Sequence, residues 1–282
     1  MLRLSVHVCR PSRIVTAYEG PRALVPRALV RLANKPIGMV TQRPLLLVHG
    51  NFSEAWSWDD FRARLSNRGY IVYTINLQWR RKQSGQLPGV TDHALQITDC
   101  VRQHKLSDVV LVAHSYGGVP VMQAAADMPD EVSAAIFMNA HILQNNQSIA
   151  QQAPAQATSL IKQEADKSHG YWFREVLSYE AVKHNFFPHL SDQEVDHLYD
   201  KMHPEPITVW TDKLTLSVTS QALPCHYILF TDDVAIRPGY WRDMADKLSS
   251  IHPTQVHTLP GHHFGYMEHP EEVIDILDRT LA

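Results

Sequence analysis

The segment Val110-Leu111-Val112-Ala113-His114-Ser115-Tyr116-Gly117-Gly118 sets one serine between an apolar run and a pair of glycines. A serine hydroxyl is a weak nucleophile until a base takes its proton. A turn between a buried strand and a helix projects that hydroxyl above the strand end, and the helix N-terminus then faces the charge that develops on the attacked carbonyl. The residues two before and two after the serine must be small, because strand and helix crowd there. Gly117 meets that demand, Gly118 extends it, and Ala113 replaces the usual glycine at the cost of one methyl. Ser115 is the candidate nucleophile, and the chemistry is acyl transfer.

Acyl transfer needs hydrogen-bond donors aimed at the developing oxyanion. One is the backbone N–H of Tyr116, directly after the serine. The second is assigned to the N–H of Asn51 in the turn His49-Gly50-Asn51-Phe52, with Phe52 one step behind it. His49 is read as a structural residue. A base follows a late strand in the loop Pro260-Gly261-His262-His263-Phe264, where both histidines are candidates. An orienting acid follows the run His226–Thr231, where Asp232 and Asp233 are both candidates. His262, His263, Glu268 and His269 also cluster in sequence, but their spacing is not H-E-x-x-H and adjacent histidines suit one tetrahedral ion poorly, so no metal and no cofactor are expected.

These residues sit in a repeating order of elements. Leu45–His49 is a short apolar run of the kind buried on both faces and Asp108–Ala113 is a second buried strand; Ile71–Ile75, Val132–Met138, His226–Thr231 and Gln255–Leu259 read as the further strands. Between them lie helical segments at Ser57–Asn67, from Thr91 (the expected N-cap) to His104, Gly117–Met128, Tyr240–Leu248 and Pro270–Leu281, and Gly69 stops the first of these. Alternation of this kind implies right-handed βαβ units and a mostly parallel sheet flanked by helices. From about His141 to Leu223 no buried strand is signalled, and that stretch is rich in Gln, His and aromatics, with a helix at Asp192–Lys201. The expected organisation is a basic extension over 1–42, an α/β core over 43–141 and 224–282, and a helical cap insertion over 142–223.

Composition bounds the partners. The 282 residues are 44% apolar and carry a net charge of -3, so a large core is available and no global basic field attracts nucleic acid. Residues 1–36 hold seven Arg or Lys against Glu19, a net of +6 that leaves -9 for the rest. That basic stretch reads as a surface arm, with an organelle transit peptide as the alternative. No window of about 18 uninterrupted apolar residues suggests a membrane span. Three scattered cysteines, Cys9, Cys100 and Cys225, suit a reducing compartment rather than a disulfide framework, and a cytoplasmic location is expected.

With these motifs in order, the chain resembles the α/β-hydrolase superfamily, and within it the branch of plant-type methyl esterases and hydroxynitrile lyases. Four segments carry the likeness: Leu46–Trp58, Val112–Gly118, Tyr227–Ile236 and Gly261–Pro270. It covers about residues 43–282. The resemblance implies an α/β-hydrolase fold with a mobile cap and a Ser-His-Asp triad. In that branch the acid stands two positions before an Ala-Ile pair, which selects Asp233, and the base stands seven before a proline, which selects His263. Two departures bear on chemistry. The lyases carry a lysine directly after the histidine, where this chain has Phe264, and a threonine where it has Gly50. Both changes favour ester hydrolysis over cyanohydrin cleavage. Ser115 excludes the superfamily's aspartate-nucleophile chemistries, the dehalogenases and epoxide hydrolases.

The expected substrate is a small-molecule ester of small or medium size. Phe52, Phe264 and Trp172 are the candidate substrate contacts, drawn from the oxyanion loop, the histidine loop and an aromatic-rich cap. Trp79-Arg80-Arg81-Lys82 is read as a solvated loop, with an anion cradle as the sharper alternative. Hydrolysis of a thioester, lactone or carbon–carbon bond, a lyase, and a slow-turnover ligand receptor are the alternative functions on the same fold.

Overall fold

The computed structural model describes residues 7–9, 43–216 and 222–281. The core is a seven-stranded sheet of parallel strands. Its members are β1 (His7–Cys9), β2 (Leu45–Val48), β3 (Val72–Ile75), β4 (Val109–His114), β5 (Val132–Met138), β8 (Cys225–Phe230) and β9 (Thr254–Leu259), in the order β1-β3-β2-β4-β5-β8-β9. The central strands β2 and β4 are buried along their whole length, as parallel strands covered by helices on both faces must be. The outer strand β9 alternates half-buried and exposed residues. Apart from the edge strand β1, the residues of the basic extension lie outside the described ones, as do the surface-arm and transit readings placed on them.

Five helices cover this sheet: α1 (Asp59–Asn67), α2 (Val90–Gln103), α3 (Gly118–Asp127), α9 (Tyr240–Ile251) and α11 (Pro270–Leu281), the last preceded by the single turn α10 (Gly265–Glu268). Helix α1 ends in a Schellman turn. Gly69 takes φ 96°, its N–H donates to the Ser66 carbonyl, and the Tyr70 N–H donates to Leu65. Helix α2 starts two residues earlier than an N-cap at Thr91 predicts. Gly89 is its N-cap, and the Asp92 carboxylate reaches back from the first turn to accept the Gly89 N–H at 2.9 Å.

Between β5 and β8 the chain builds the cap from short pieces: α4 (Ile149–Gln152), α5 (Ala155–Lys167), β6 (Tyr171–Trp172), α6 (Tyr179–Asn185), α7 (Asp192–Lys201), β7 (Glu205–Pro206) and α8 (Thr208–Thr211). Strands β6 and β7 pair antiparallel, a two-residue ribbon too short to leave a period in sequence. Among the described residues no helix is long and apolar enough to cross a membrane. Cys225 is a free, buried thiol.

Candidate active site

Strand β4 delivers Ser115 to the top of the sheet. The serine takes φ 51°, a left-handed conformation that a side chain adopts at a cost, and α3 begins three residues later. Crowding explains the glycines. A Cβ on Gly117 would lie 2.7 Å from the carbonyl oxygens of Val48 and His49, and one on Gly118 would lie 2.6 Å from the His141 carbonyl. A Cβ on Gly50 would approach Ser115 Cβ to 2.7 Å. The turn after β2 is thus wedged directly against the elbow, with Asn51 beside it.

The loop after β9 brings His263 to the serine. His263 Nε2 lies 3.1 Å from Ser115 Oγ, and Nδ1 lies 2.7 Å from Asp233 Oδ2. Asp233 stands past the end of β8. Its Oδ2 also accepts from Asn139 Nδ2 at 2.8 Å, and its Oδ1 accepts the Ala235 N–H at 2.9 Å. Burial pushes this carboxyl up, but the adjacent imidazole and these hydrogen bonds together outweigh it and hold it at about 2. The group is therefore ionised at neutral pH and fixes Nδ1–H as the donor, which leaves Nε2 free to accept from the serine.

Their sequence neighbours point elsewhere. Asp232 is exposed. Its Oδ2 accepts the Gly261 N–H at 3.0 Å while its own N–H donates to the Gly261 carbonyl at 3.0 Å, so it pins the histidine loop. Gly261 itself takes φ 130°, which admits little but glycine. His262 turns away to Glu268, which accepts its backbone N–H at 2.8 Å and lies 3.1 Å from its Nδ1. Among the described residues no group of three or more His, Cys, Asp or Glu converges as a metal site.

A cavity of about 300 Å³ opens above Ser115 and His263. Asn51, Phe52, Trp172, Phe186 and Trp210 line it, alongside aliphatic residues from α5 and Ile236. Phe264 does not. It is buried behind the site, stacked on Phe187 at 4.7 Å and packed against His114. The cations of the Trp79–Lys82 loop are also absent from the lining. Arg81 donates to the carbonyls of Gly85 and His169, Lys82 pairs with Asp92, and Arg80 lies over the Trp79 ring. Among the described residues no Lys or Arg lines the cavity.

Four supporting residues escaped the sequence reading. Asn139, at the end of β5, holds Asp233 and also bridges the Phe230 backbone, donating to its carbonyl and accepting its N–H. A polar residue just past six buried strand positions was a usable signal, since ligands gather at the carboxyl ends of parallel strands. His114 donates from Nε2 to the His263 carbonyl at 2.8 Å, and burial keeps it neutral. Glu205, from the cap strand β7, accepts the Phe52 N–H at 2.5 Å. Burial raises its carboxyl to about 8. His203 joins it, donating its backbone N–H to the Phe52 carbonyl and its Nε2–H to Ser53 O. Nothing local in Pro204-Glu205-Pro206 announces that role.

Known proteins share this architecture. An extracellular alpha/beta-hydrolase from a Paenibacillus species superposes with a TM-score of 0.72 at 23% identity, covering 85% of this chain and 99% of that one. Polyneuridine aldehyde esterase superposes with a TM-score of 0.64 at 17% identity, covering 84% and 98%. Both likenesses speak to the fold. In sequence, the chain is 27% identical over 107 residues to the carbendazim hydrolyzing esterase of a Nocardioides species, 37% of this chain and 44% of that relative. It is 32% identical over 108 residues to methyl jasmonate esterase 1 of Vitis vinifera, 36% and 40%. The chain thus spans less than half the length of these curated relatives. The family profile matches residues 45–276, and the chain belongs to the alpha/beta hydrolase family.

Proposed function

We propose that this chain is a serine hydrolase that cleaves small or medium, largely apolar carboxylic esters. The observation that carries the reading is the unbroken hydrogen-bonded line from Ser115 through His263 to Asp233, at 3.1 and 2.7 Å, on the floor of an apolar cavity. His263 Nε2 takes the Ser115 proton as Oγ attacks the ester carbonyl. Asp233 holds the tautomer and stabilises the imidazolium. The Asn51 and Tyr116 N–H groups receive the oxyanion. Collapse of the tetrahedral intermediate expels the alcohol, which takes its proton from His263. Water, activated by the same imidazole, then releases the acid and restores Ser115.

Relatives named as esterases support the bond class. The absence of Lys and Arg from the cavity lining favours ester hydrolysis over release of an anionic leaving group such as cyanide. A burst-and-turnover assay with p-nitrophenyl butyrate tests the reading. Repeated turnover, abolished in Ser115→Ala, is the expected result. A single slow acylation without turnover would instead indicate a ligand-retaining receptor.

A further inference from the structure

The polar groups on the cavity wall are few. Ser115 and His263 react, and Asn51 belongs to the oxyanion turn. His141 remains, and the proposed chemistry does not use it. It follows β5 and is anchored beside the nucleophile, for its backbone N–H donates to the Ser115 carbonyl at 3.0 Å. Its ring is buried among Trp210, Tyr240 and Trp241, and burial lowers its pKa to about 3. The imidazole is therefore neutral, with one nitrogen donating and one accepting.

The tautomer follows from Tyr240. The Tyr240 hydroxyl is fully buried and lies 2.9 Å from His141 Nδ1. A buried O–H needs an acceptor, and Nδ1 is the partner recorded for it among the described residues. The hydroxyl therefore donates to Nδ1, and the ring proton sits on Nε2. Among the described residues Nε2 has no hydrogen-bond partner, yet it is not sealed in the interior as the buried unpartnered atoms are. With His141 lining the cavity, that N–H opens into it.

We propose that His141 is a specificity-determining residue whose Nε2–H donates to a neutral oxygen of the substrate other than the ester carbonyl. Resting on the hydrolase reading above, this narrows the substrate class to apolar esters that carry a keto, hydroxyl or ether oxygen within a few bonds of the scissile carbon. A carboxylate is disfavoured, because no cation lines the cavity. Such a donor discriminates strongly, since an analogue lacking the oxygen leaves a buried N–H unpaired.

The test uses two size-matched pairs: methyl 4-oxopentanoate against methyl pentanoate, and 2-oxopropyl butyrate against propyl butyrate. In the wild-type protein, kcat/KM favours the oxygenated member of at least one pair. His141→Phe lowers that preference ratio about ten- to a hundred-fold. His141→Gln, which keeps an N–H donor, retains part of it, and Tyr240→Phe, which releases the tautomer, erodes it. Binding of the same pairs to Ser115→Ala, read by tryptophan fluorescence, reports the preference without turnover. A ratio that does not depend on residue 141 in either pair, with the variants folded by circular dichroism, overturns the assignment. A preference in binding that follows residue 141 while the wild type hydrolyses no ester overturns the hydrolase reading and leaves this one standing.

Discussion

On the core side of the cavity, Ser115, Asp233 and His263 leave the ends of β4, β8 and β9, and each is held by backbone as well as side-chain contacts. Gly50 and Gly117 bring neighbouring turns to the closest approach that atoms allow, and Asp232 and His114 fasten the histidine loop by hydrogen bonds to its backbone. The cap side is built differently. Trp172, Phe186 and Trp210 come from short separate segments, and Trp172 and Trp210 meet edge-on at 5.5 Å. At the turn beside the nucleophile a polar clasp ties the two sides together, from Glu205 and His203 to Phe52 and Ser53. The core side holds its groups by direct hydrogen bonds and close backbone approach, the kind of positioning the proposed attack on a carbonyl would require. The cap side fills volume, which suits selection of an apolar group by size.

The contrast is broken most severely at Asp233. Asp233→Asn is expected to lower kcat/KM about 10⁴-fold by disfavouring the working tautomer of His263, whereas Asp232→Asn costs about tenfold or less through a looser loop. Steady-state kinetics on both variants checks the pair, and equal losses would contradict the distinct partners of the two aspartates. Gly50→Val comes next. Its side chain must displace Ser115 or the oxyanion turn, and a shift of about 1 Å there is worth about a hundredfold in kcat with the protein still folded.

A cap substitution should behave in another way. Trp172→Ala is expected to raise KM for a bulky ester about tenfold and to leave kcat near the wild-type value, because it removes binding that ground state and transition state share. A fall in kcat alone would place Trp172 on the core side of the comparison. The smallest effect concerns the clasp. Glu205 keeps its proton in the folded protein up to about pH 8, whereas its ordinary value is 4.5. Across that window the folded state binds the extra proton, so stability falls as pH rises through it. Glu205→Gln removes the slope, and its melting temperature gains on the wild type by a few degrees between pH 5 and 8. A difference that does not change with pH would remove the clasp from the account.

The same division governs what could be read in advance. The core strands were legible because β2, β4 and β8 are buried on both faces and must be apolar throughout. Helix α7 was legible at Asp192–Lys201 because Ser191 and Glu194 form a capping box at its start. The β6–β7 ribbon was not, since two residues per strand define no period. The placement of Phe264 behind the site rather than in it was equally hidden. Adjacent residues leave a loop in different directions, and only its path decides which one faces the cavity.

By itself the sequence determined that a serine stands on a strained strand-to-helix turn, because small residues are required on both sides of it, and that a late Asp pair and a late His pair follow in order. The family resemblance points to Asp233, and the tertiary structure supplies the physical reason that it, rather than Asp232, meets His263: the reciprocal hydrogen bonds between Asp232 and Gly261 turn the first carboxylate back onto the loop. The tertiary structure alone decided that Glu205 reaches Phe52 and that His141 opens on the cavity. Those contacts join segments far apart in the chain, and no local pattern encodes a distance between them.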